Sequence, residues 1–406
     1  MKKTIKLAVV AALALGATSV FATNGTNLIG YGAKSRAMGG TAISNFNGAE
    51  SAFANPALIT AGTAKTDATI GATLLMPDVS FEADAAANSA LTGGANPAAS
   101  DSSTAGDGMI PSVAVINKIN DNFAWGMALY GVGGMGVDYR EAEDTTAVGL
   151  NNINDNLMLM RMSIPLAYAT HGFSVGVAPV IEYGSLAMNN GVTTDIALGY
   201  ELGLAYNIAG FGIGIDYKSA VTHDFKNTFN SNINPATGQL VANDPQSKLD
   251  TPTVLGLGIS YKIGGSTIAI DYKKIGYGSA KGFEDFGWED QNVYAIGYEY
   301  AAKTWALRAG YNYGKSPLPT DIDISAGDMT SFAQVTGSFM QFPAVTESHI
   351  TFGGSYSFSE VISVDLAYMI ASGSATAETP NFGAGTGEIT TTNDQTAASF
   401  ALNYAY

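Results

Sequence analysis

The sequence predicts an all-β protein, a transmembrane antiparallel β-barrel of about fourteen strands with an N-terminal plug in its lumen. Only 13% of the residues are charged, while the chain has 48 glycines, 20 tyrosines and 18 phenylalanines. After residue 22, no apolar run approaches the ~20 residues that a membrane helix needs. Short segments instead alternate between apolar and small or polar residues. Such alternation is typical of barrel strands, because every second residue faces the lipid.

The first 22 residues read as a secretory signal peptide. Lys2, Lys3 and Lys6 form a basic start, a short apolar core spans residues 7–16, and cleavage is expected after Ala22. The apolar core is too short to be a membrane anchor. We therefore expect three parts, namely a signal peptide (1–22), a plug or hatch (23–65) and the barrel (66–406).

Charge and cysteine content exclude several functions. The formal net charge of −16 argues against a nucleic-acid partner. The absence of cysteine removes thiol catalysis and thiolate metal sites. It is compatible with an oxidising compartment without proving one.

The C-terminal strand shows the alternation most clearly. Phe400, Leu402 and Tyr404 fall on one face, and Ala401 and Asn403 fall on the other. Many such segments end in tyrosine, as an aromatic girdle at the membrane interface requires. Similar patterns give the strand segments 66–81, 109–118, 122–139, 155–170, 172–188, 195–208, 210–226, 249–262, 265–280, 290–301, 303–315, 347–358, 361–374 and 395–406.

The connections between these segments support a barrel. Short turns such as His171-Gly172 and Ala209-Gly210 alternate with longer loops, as periplasmic turns and outer loops do. An even strand count places both termini on the periplasmic side. The longer loops are predicted near 82–108, 140–154, 189–194, 227–248, 281–289, 316–346 and 375–394.

Residues 23–65 do not read as barrel strands. A glycine-rich stretch is followed by a short helix-like piece that breaks at Pro56. A barrel of about fourteen strands is too wide for its own side chains to fill. We therefore expect this segment to plug the lumen. A periplasmic tail is the alternative, but such a tail would usually be more charged.

The N-terminal motifs resemble one family. The run from Asn55 through Pro56, Ala57 and Leu58 to Thr60 follows Gly-Ala-Lys-Ser-Arg-Ala-Met-Gly-Gly at residues 32–40. This order is similar to the hatch of the FadL family of outer-membrane channels for long-chain fatty acids and other hydrophobic compounds. The resemblance continues through residues 77–79 and 119–126 and covers most of the mature chain as a strand pattern.

The resemblance implies a mechanism as well as a fold. Members are fourteen-stranded barrels in which a hydrophobic ligand is captured at the outer loops and bound inside. Hatch movement then releases it sideways through a kink in the third strand. Thr23 and Asn24 form the N-terminal end of the predicted plug. The third strand here carries four glycines at the matching place, Gly131, Gly133, Gly134 and Gly136. Glycine weakens a strand and marks bulges. Alternatively, these glycines only pack against the plug.

The sequence also departs from the family. The end of the fifth strand carries Glu182 and neither Lys nor Arg, whereas fatty-acid transporters have basic residues in their interior pocket. The loop near 189–194 is short. These differences put a carboxylate ligand in doubt and leave neutral hydrocarbons open. A substitute capture loop is predicted within 316–346; it carries Phe332, Phe339, Met340 and Phe342. These side chains could instead only cap the barrel.

Other functions find less support. His171, His223 and His349 lack metal-ligand spacing, and no catalytic triad, metal site or cofactor site is indicated. The acidic residues Glu141, Glu143, Asp144, Glu289 and Asp290 are expected in outer loops, solvated or holding divalent cations with lipopolysaccharide.

The leading expectation is a monomeric Gram-negative outer-membrane channel that contacts membrane lipid, lipopolysaccharide and a hydrophobic ligand. An adhesin or structural barrel acting through its outer loops, or a general porin, are the alternatives.

Overall fold

A computed structural model describes residues 23–92, 95–141, 153–188, 191–226, 248–319, 334, 336–379 and 385–406. Within these residues, fourteen antiparallel strands form a closed barrel. The strands, some of them interrupted, are β1 (Thr66–Ala83), β2 (Ala99–Ser102 and Gly108–Lys118), β3 (Phe123–Asp138), β4 (Asn154–Ser163 and Leu166–Thr170), β5 (Phe173–Met188), β6 (Gly191–Ile208), β7 (Phe211–Lys218 and Val221–Asp224), β8 (Lys248–Thr251 and Val254–Ile263), β9 (Ser266–Ile275), β10 (Gln291–Ala301), β11 (Trp305–Gly314), β12 (Ser348–Ser357), β13 (Ile362–Ser372 and Ser374–Glu378) and β14 (Glu388–Ala405).

The barrel closes where β1 pairs with β14. Seventeen residue pairs join these strands, from Asp67 opposite Ala405 to Ala83 opposite Ile389. Closure leaves no strand edge that would need hydrogen bonds in lipid. The predicted fold class is confirmed. In the described part of the chain, no helix is long and apolar enough to cross a membrane.

The outward face is the apolar face, as the alternation predicts. Phe400, Leu402 and Tyr404 are 50%, 41% and 46% exposed, while Ala401 and Asn403 are 1% and 7% exposed. A soluble barrel would bury the large apolar residues. This inversion therefore fits a barrel whose outer surface contacts lipid.

Tight turns connect strands at the end of the barrel that carries Thr66 and Tyr406, which we call the periplasmic end. His171 and Ala209 adopt φ of 49° and 50°, and the glycines after them have φ of 81° and 85°. Two successive residues with positive φ form the hairpin turn whose twist matches paired strands. Glycine at the second position makes these turns possible at low steric cost.

Several predicted boundaries were wrong at the opposite, outer end. β6 begins at Gly191, four residues before the predicted start at 195, so the predicted loop 189–194 is shorter still; β5 ends at Met188 as predicted. β14 begins at Glu388, seven residues before the predicted start. Threonines at residues 390–392 fall on both faces of β14, so apolar and polar residues do not alternate there. Threonine itself favours strands. β9 ends at Ile275 and not at 280, because the chain turns inward and buries Tyr277.

The N-terminal segment packs against lumen-facing residues all around the barrel. It contains helices α1 (Ala33–Ala37) and α2 (Ser51–Ala54) and 3₁₀ turns at Gly48–Glu50 and Pro56–Thr60; helix α3 (Ala85–Thr92) follows β1. The Ala42 and Ile43 amides donate to Asp271 on β9, and Asn312 on β11 donates to the Gly39 carbonyl. Most residues of this segment are buried.

Candidate functional site

The third strand is irregular at its glycine cluster. The β3–β4 register shifts between Gly131, opposite Met160, and Gly133, opposite Leu159. Val132 is therefore an extra residue, which is a β-bulge. The structure thus places a break in regular pairing within the segment predicted to be kinked.

The same segment leaves its neighbour on the other side. The β2–β3 ladder ends at the pair Ser112 and Tyr130. Contact resumes where the Thr104 amide donates to the Asp138 carbonyl at 2.8 Å. Among the described residues, no ladder pair joins β2 to β3 between these points. We call this gap in the wall, bounded by β3 residues 131–137, the window.

Backbone of the N-terminal segment occupies the lumen side of the window. Asn27 forms a β-bridge with Gly133. The Leu28 amide donates to the Val132 carbonyl at 3.2 Å, and the Gly134 amide donates to the Thr26 carbonyl at 3.0 Å. Two backbone groups of β3 that have no partner on β2, the Val132 carbonyl and the Gly134 amide, therefore bond to the N-terminal segment. Buried backbone groups need such partners.

Close backbone approach explains the glycine at position 133. A Cβ atom there would lie 2.1 Å from the Thr26 carbonyl oxygen. At Gly136, a Cβ atom would lie 2.6 Å from the Asp155 carbonyl oxygen. Packing against the N-terminal segment and breaking the strand ladder are thus properties of the same cluster, and the two interpretations of these glycines are compatible.

The N-terminal plug end is buried and held by one tyrosine. Thr23 and Asn24 are 2% and 1% exposed. The Tyr277 hydroxyl accepts from the Thr26 amide at 2.6 Å and from the Asn27 side chain at 3.1 Å, and it donates to the Asn24 carbonyl at 2.9 Å. Burial raises the pKa of Tyr277 to about 12, so the hydroxyl keeps its proton. Sequence analysis missed this residue, since no local pattern marks it.

The predicted capture loop folds into the outer mouth. Phe339, Met340 and Phe342 are buried, and Phe332 lies outside the described residues. The Thr391 hydroxyl on β14 donates to the Phe339 carbonyl. These side chains therefore pack into the apolar interior and do not line an open groove. Their role in capture stays a prediction.

The hatch motif fits into spaces left by wall glycines. A Cβ at Gly203 on β6 would lie 2.1 Å from the Asn55 side-chain oxygen, and a Cβ at Gly176 on β5 would lie 2.4 Å from the Pro56 carbonyl carbon. The Asn55 amide group donates to the Ile43 carbonyl at 2.8 Å, and its oxygen caps the 3₁₀ turn that starts at Pro56. The motif thus fixes the segment to β5 and β6, with Ala57 and Leu58 packed on Ala205.

Glu182 is a buried ion-pair residue. Its carboxylate lies 2.7 Å from the Arg161 guanidinium on β4, which also bonds Glu201 on β6 at 3.1 Å. Tyr130, next to the window, donates to Glu201, and His223 lies 3.2 Å from Glu182. Sequence analysis missed Arg161, because the pairing joins residues from different strands.

The remaining candidate residues lie apart. His171 is exposed in its turn, whereas His223 and His349 are buried. Over the described ranges, no group of histidine or acidic residues could hold a metal ion. Asp290 pairs with Lys274 at 2.8 Å, Glu141 and Glu289 are exposed, and Glu143 and Asp144 lie outside the described residues.

The lumen is apolar at its outer end and polar at its periplasmic end. Aromatic and aliphatic side chains fill the outer part, among them Phe81, Tyr139, Leu157, Leu186, Phe225, Phe283 and Phe339. Near the periplasmic end, a cavity of about 400 Å³ is lined by charged residues that include Lys34, Asp67, Glu299, Arg308 and Asp365. Between them, a cavity of about 30 Å³ beside the N-terminal segment has room for about one water molecule.

Comparisons with known proteins agree with this architecture. The chain is 25% identical over 330 residues to a long-chain fatty acid transport protein of Escherichia coli O6:H1, covering 66% of this chain and 72% of that protein. Its fold is similar to a Pseudomonas aeruginosa FadL homologue (TM-score 0.69, 15% identity, 96% and 100% of the two chains). It is also similar to the P. putida toluene transporter TodX (TM-score 0.65, 18% identity, 94% and 99%). The model of one family matches residues 7–194 and 189–406, and the chain therefore belongs to the outer membrane protein transport protein (OMPP1/FadL/TodX) family.

Proposed function

We propose that this outer-membrane channel takes up neutral hydrophobic molecules, holds them in the outer lumen and releases them sideways through the window. One observation carries the proposal. The β2–β3 ladder stops at Tyr130, and the N-terminal backbone at Thr26 and Leu28 occupies the gap. Withdrawal of that backbone opens a path from the lumen to the membrane.

The polarity of the lumen supports a sideways exit. A ligand that left through the periplasmic end would pass the charged cavity lined by Lys34, Glu299 and Arg308. Moving apolar surface from the outer lumen into such surroundings costs about 25 cal/mol for each Å². The window lies above that cavity and leads towards the lipid. Release there keeps an apolar ligand out of water.

The charges in the lumen support a neutral ligand. Arg161 is bonded to Glu182 and Glu201, Lys218 to Asp216 and to the Ala54 carbonyl, and Lys273 to the carbonyls of Ile29 and Gly40. A carboxylate ligand would have to displace one of these partners. Breaking a buried ion pair is costly, because it leaves an uncompensated charge.

A chain of contacts joins the outer loop to the window. The Trp288 indole donates to Ser338, which lies next to Phe339 in the predicted capture loop. The rings of Trp288 and Tyr277 are 5.1 Å apart, and Tyr277 holds Thr26. A ligand that pushes the loop aside therefore disturbs the residue that fixes the N-terminal backbone in the window. We infer that this coupling opens the window only when ligand is present.

The relatives leave two ligand classes open. One is named a long-chain fatty acid transport protein, and the structural relative TodX is named a toluene transporter. The ion-paired lumen favours the neutral class for this chain. The lumen cations Arg161, Lys218 and Lys273 already have partners, and this observation favours a neutral ligand over a carboxylate.

Uptake assays test the proposal. Cells that lack their own channel of this type would express the chain, and the initial uptake of radiolabelled toluene and oleate would be measured. We expect faster toluene uptake than in empty-vector cells and little change for oleate. Faster oleate uptake alone would overturn the neutral-ligand assignment. Steady conductance in planar bilayers would instead indicate a general porin.

A further inference from the structure

An aspartate in the outer lumen has no partner. Asp155 on β4 is 1% exposed, and neither of its carboxyl oxygens is hydrogen-bonded to any described residue. It lies opposite Val137 on β3 and Met188 on β5. The next lumen-facing residue on its strand is Leu157, which is fully buried. A carboxyl group thus stands among apolar side chains.

Other buried carboxylates in this barrel do have partners. They bond to cations, to side-chain donors or to backbone amides, as seen for Glu50, Glu182, Glu201, Asp216, Asp271 and Asp365. Burying a carboxyl group without a partner is unfavourable, and such groups in native proteins call for an explanation. The exception therefore points to a use for Asp155 outside the folding of the chain.

A second polar group without a partner lies on the next rung. Tyr139 is fully buried, and its hydroxyl has no hydrogen-bond partner among the described residues. The Tyr139 amide donates to the Ile153 carbonyl at 2.9 Å, so Tyr139 faces Ile153 as Val137 faces Asp155. Tyr139 and Asp155 are thus diagonal neighbours on the lumen face, and such neighbours lie ~7–8 Å apart between strands. The two unpartnered polar groups therefore belong to the same part of the lumen wall.

We propose that Asp155 and Tyr139 bind the hydroxyl group of an otherwise apolar ligand, such as a phenol or a long-chain alcohol. A hydroxyl donates one hydrogen bond and accepts others, so it can donate to an Asp155 carboxyl oxygen and accept from Tyr139. Asp155 lies opposite Val137, the last β3 residue beside the window, and Tyr139 follows two residues later. The proposal rests on the proposed function because it concerns the same ligand path. A few polar groups in an apolar site fix the orientation of a ligand.

The apolar surroundings of the pair exclude other ligand classes. A ligand carboxylate and a protonated amine would each lose hydration on entering the apolar mouth and again on leaving into lipid. A neutral hydroxyl loses much less. A hydroxyl is therefore the ligand group that fits both the binding site and the apolar path to the membrane.

Two fluorescent probes of the same shape test the proposal. The purified barrel would be titrated with 1-naphthol and with naphthalene, and each affinity corrected for partition into detergent. Hydrogen bonds with the two residues give a gain of about tenfold in affinity. We expect the native chain to bind 1-naphthol about tenfold more tightly than naphthalene.

The variants separate this pair from the rest of the lumen. Asp155→Leu should abolish the preference for 1-naphthol and leave naphthalene binding unchanged, and Tyr139→Phe should reduce the preference. Asp138→Leu is the matched control, because Asp138 ends the same strand pair and already bonds Arg140. It should keep the preference. Removal of an unpartnered buried carboxyl does not endanger folding, which gel mobility without heating would verify.

Each outcome decides between the two proposals. Naphthalene binding without a preference for 1-naphthol, or a preference that survives Asp155→Leu, would overturn the hydroxyl site and leave the channel proposal intact. Failure of both probes to bind would contradict the proposed function, and the hydroxyl site with it.

Discussion

The Tyr277 hydroxyl lies 2.6 Å from the Thr26 amide nitrogen, and this contact joins an outer-loop residue to the backbone that occupies the window. The same hydroxyl bonds Asn24 and Asn27. A Cβ at Gly25 would lie 2.3 Å from it, and Gly25 has a φ of 61°. The N-terminal turn is therefore shaped around this one group.

Tyr277→Phe should loosen the N-terminal turn. Each lost hydrogen bond contributes about 1 kcal/mol, so the amides of residues 24–28 should exchange about tenfold to a hundredfold faster. Hydrogen-exchange mass spectrometry measures this. Tyr272→Phe is the control, because that hydroxyl bonds Asn292 on the outer face. Unchanged exchange in Tyr277→Phe would show that apolar packing alone holds the turn.

Gly133→Ala should displace the N-terminal backbone. The added methyl would lie 2.1 Å from the Thr26 carbonyl oxygen, which is not compatible with the present bridge. We expect the barrel to fold and its conductance in planar bilayers to rise. Gly191→Ala is the control, since the nearest atom to its added methyl lies 3.6 Å away. Equal, low conductance in both variants would mean that the N-terminal backbone is not held at Gly133.

The two faces of the wall should differ in their tolerance of charge. Leu366 faces outward at 57% exposure, and Ala306 faces the polar periplasmic cavity. An arginine on the lipid face near mid-membrane costs ~2–4 kcal/mol. Leu366→Arg should therefore fold into lipid vesicles less stably than Ala306→Arg, as measured by denaturant titration. Equal stability would contradict the assigned strand register.

Docking of the N-terminal segment should weaken as the pH rises. Burial, with a smaller contribution from the nearby Asp365 carboxylate, raises the pKa of the Glu50 carboxyl to about 7. When undocked, Glu50 should titrate near its ordinary value of ~4.3. The docked segment thus binds the proton more tightly. Docking is then strongest below the lower pKa and is progressively lost as the pH rises through about 7.

Protease sensitivity of the segment reports this dependence. Cleavage within residues 23–60 should be faster at pH 8 than at pH 5, after correction for the activity of the protease. In Glu50→Gln the difference should disappear, because glutamine does not titrate. A pH dependence that persists in the variant would assign the effect to another group.

Period-two alternation explains why the fold could be predicted from the sequence. Residues such as Phe400 and Leu402 face lipid, and this constraint marks each strand within the membrane. Outside the membrane the constraint disappears, and there the predicted starts of β6 and β14, which begin at Gly191 and Glu388, were wrong. The pattern is informative only where one face of the strand must be apolar.

The site was predictable in part. The bulge lies within the glycine cluster that predicts it, because close backbone approach demands glycine. Tyr277 and Arg161 act through partners that are far away in the sequence, and Asp155 is notable because it has no partner. The local spacing of residues reveals neither situation. Phe339 and Phe342 were identified by their aromatic character, but that character does not distinguish an open groove from a buried cap.

Lateral exit is the central claim, and a disulfide across the window tests it most directly. The native chain has no cysteine. A Cβ at Gly131 would lie 3.8 Å from the Ile110 Cβ, which is the usual Cβ separation in a disulfide. The variant Ile110→Cys with Gly131→Cys should therefore staple β2 to β3 at the lower edge of the window.

The control staple joins strands that are already paired. Thr376 and Thr390 face each other between β13 and β14, with their hydroxyl oxygens 2.8 Å apart, so Thr376→Cys with Thr390→Cys adds a bond without closing an opening. The measurement is toluene uptake by cells carrying each oxidised variant, repeated after reduction. We predict that the window staple lowers uptake at least severalfold, that reduction restores it, and that the control staple has no effect. Normal uptake through the oxidised window staple would contradict lateral exit.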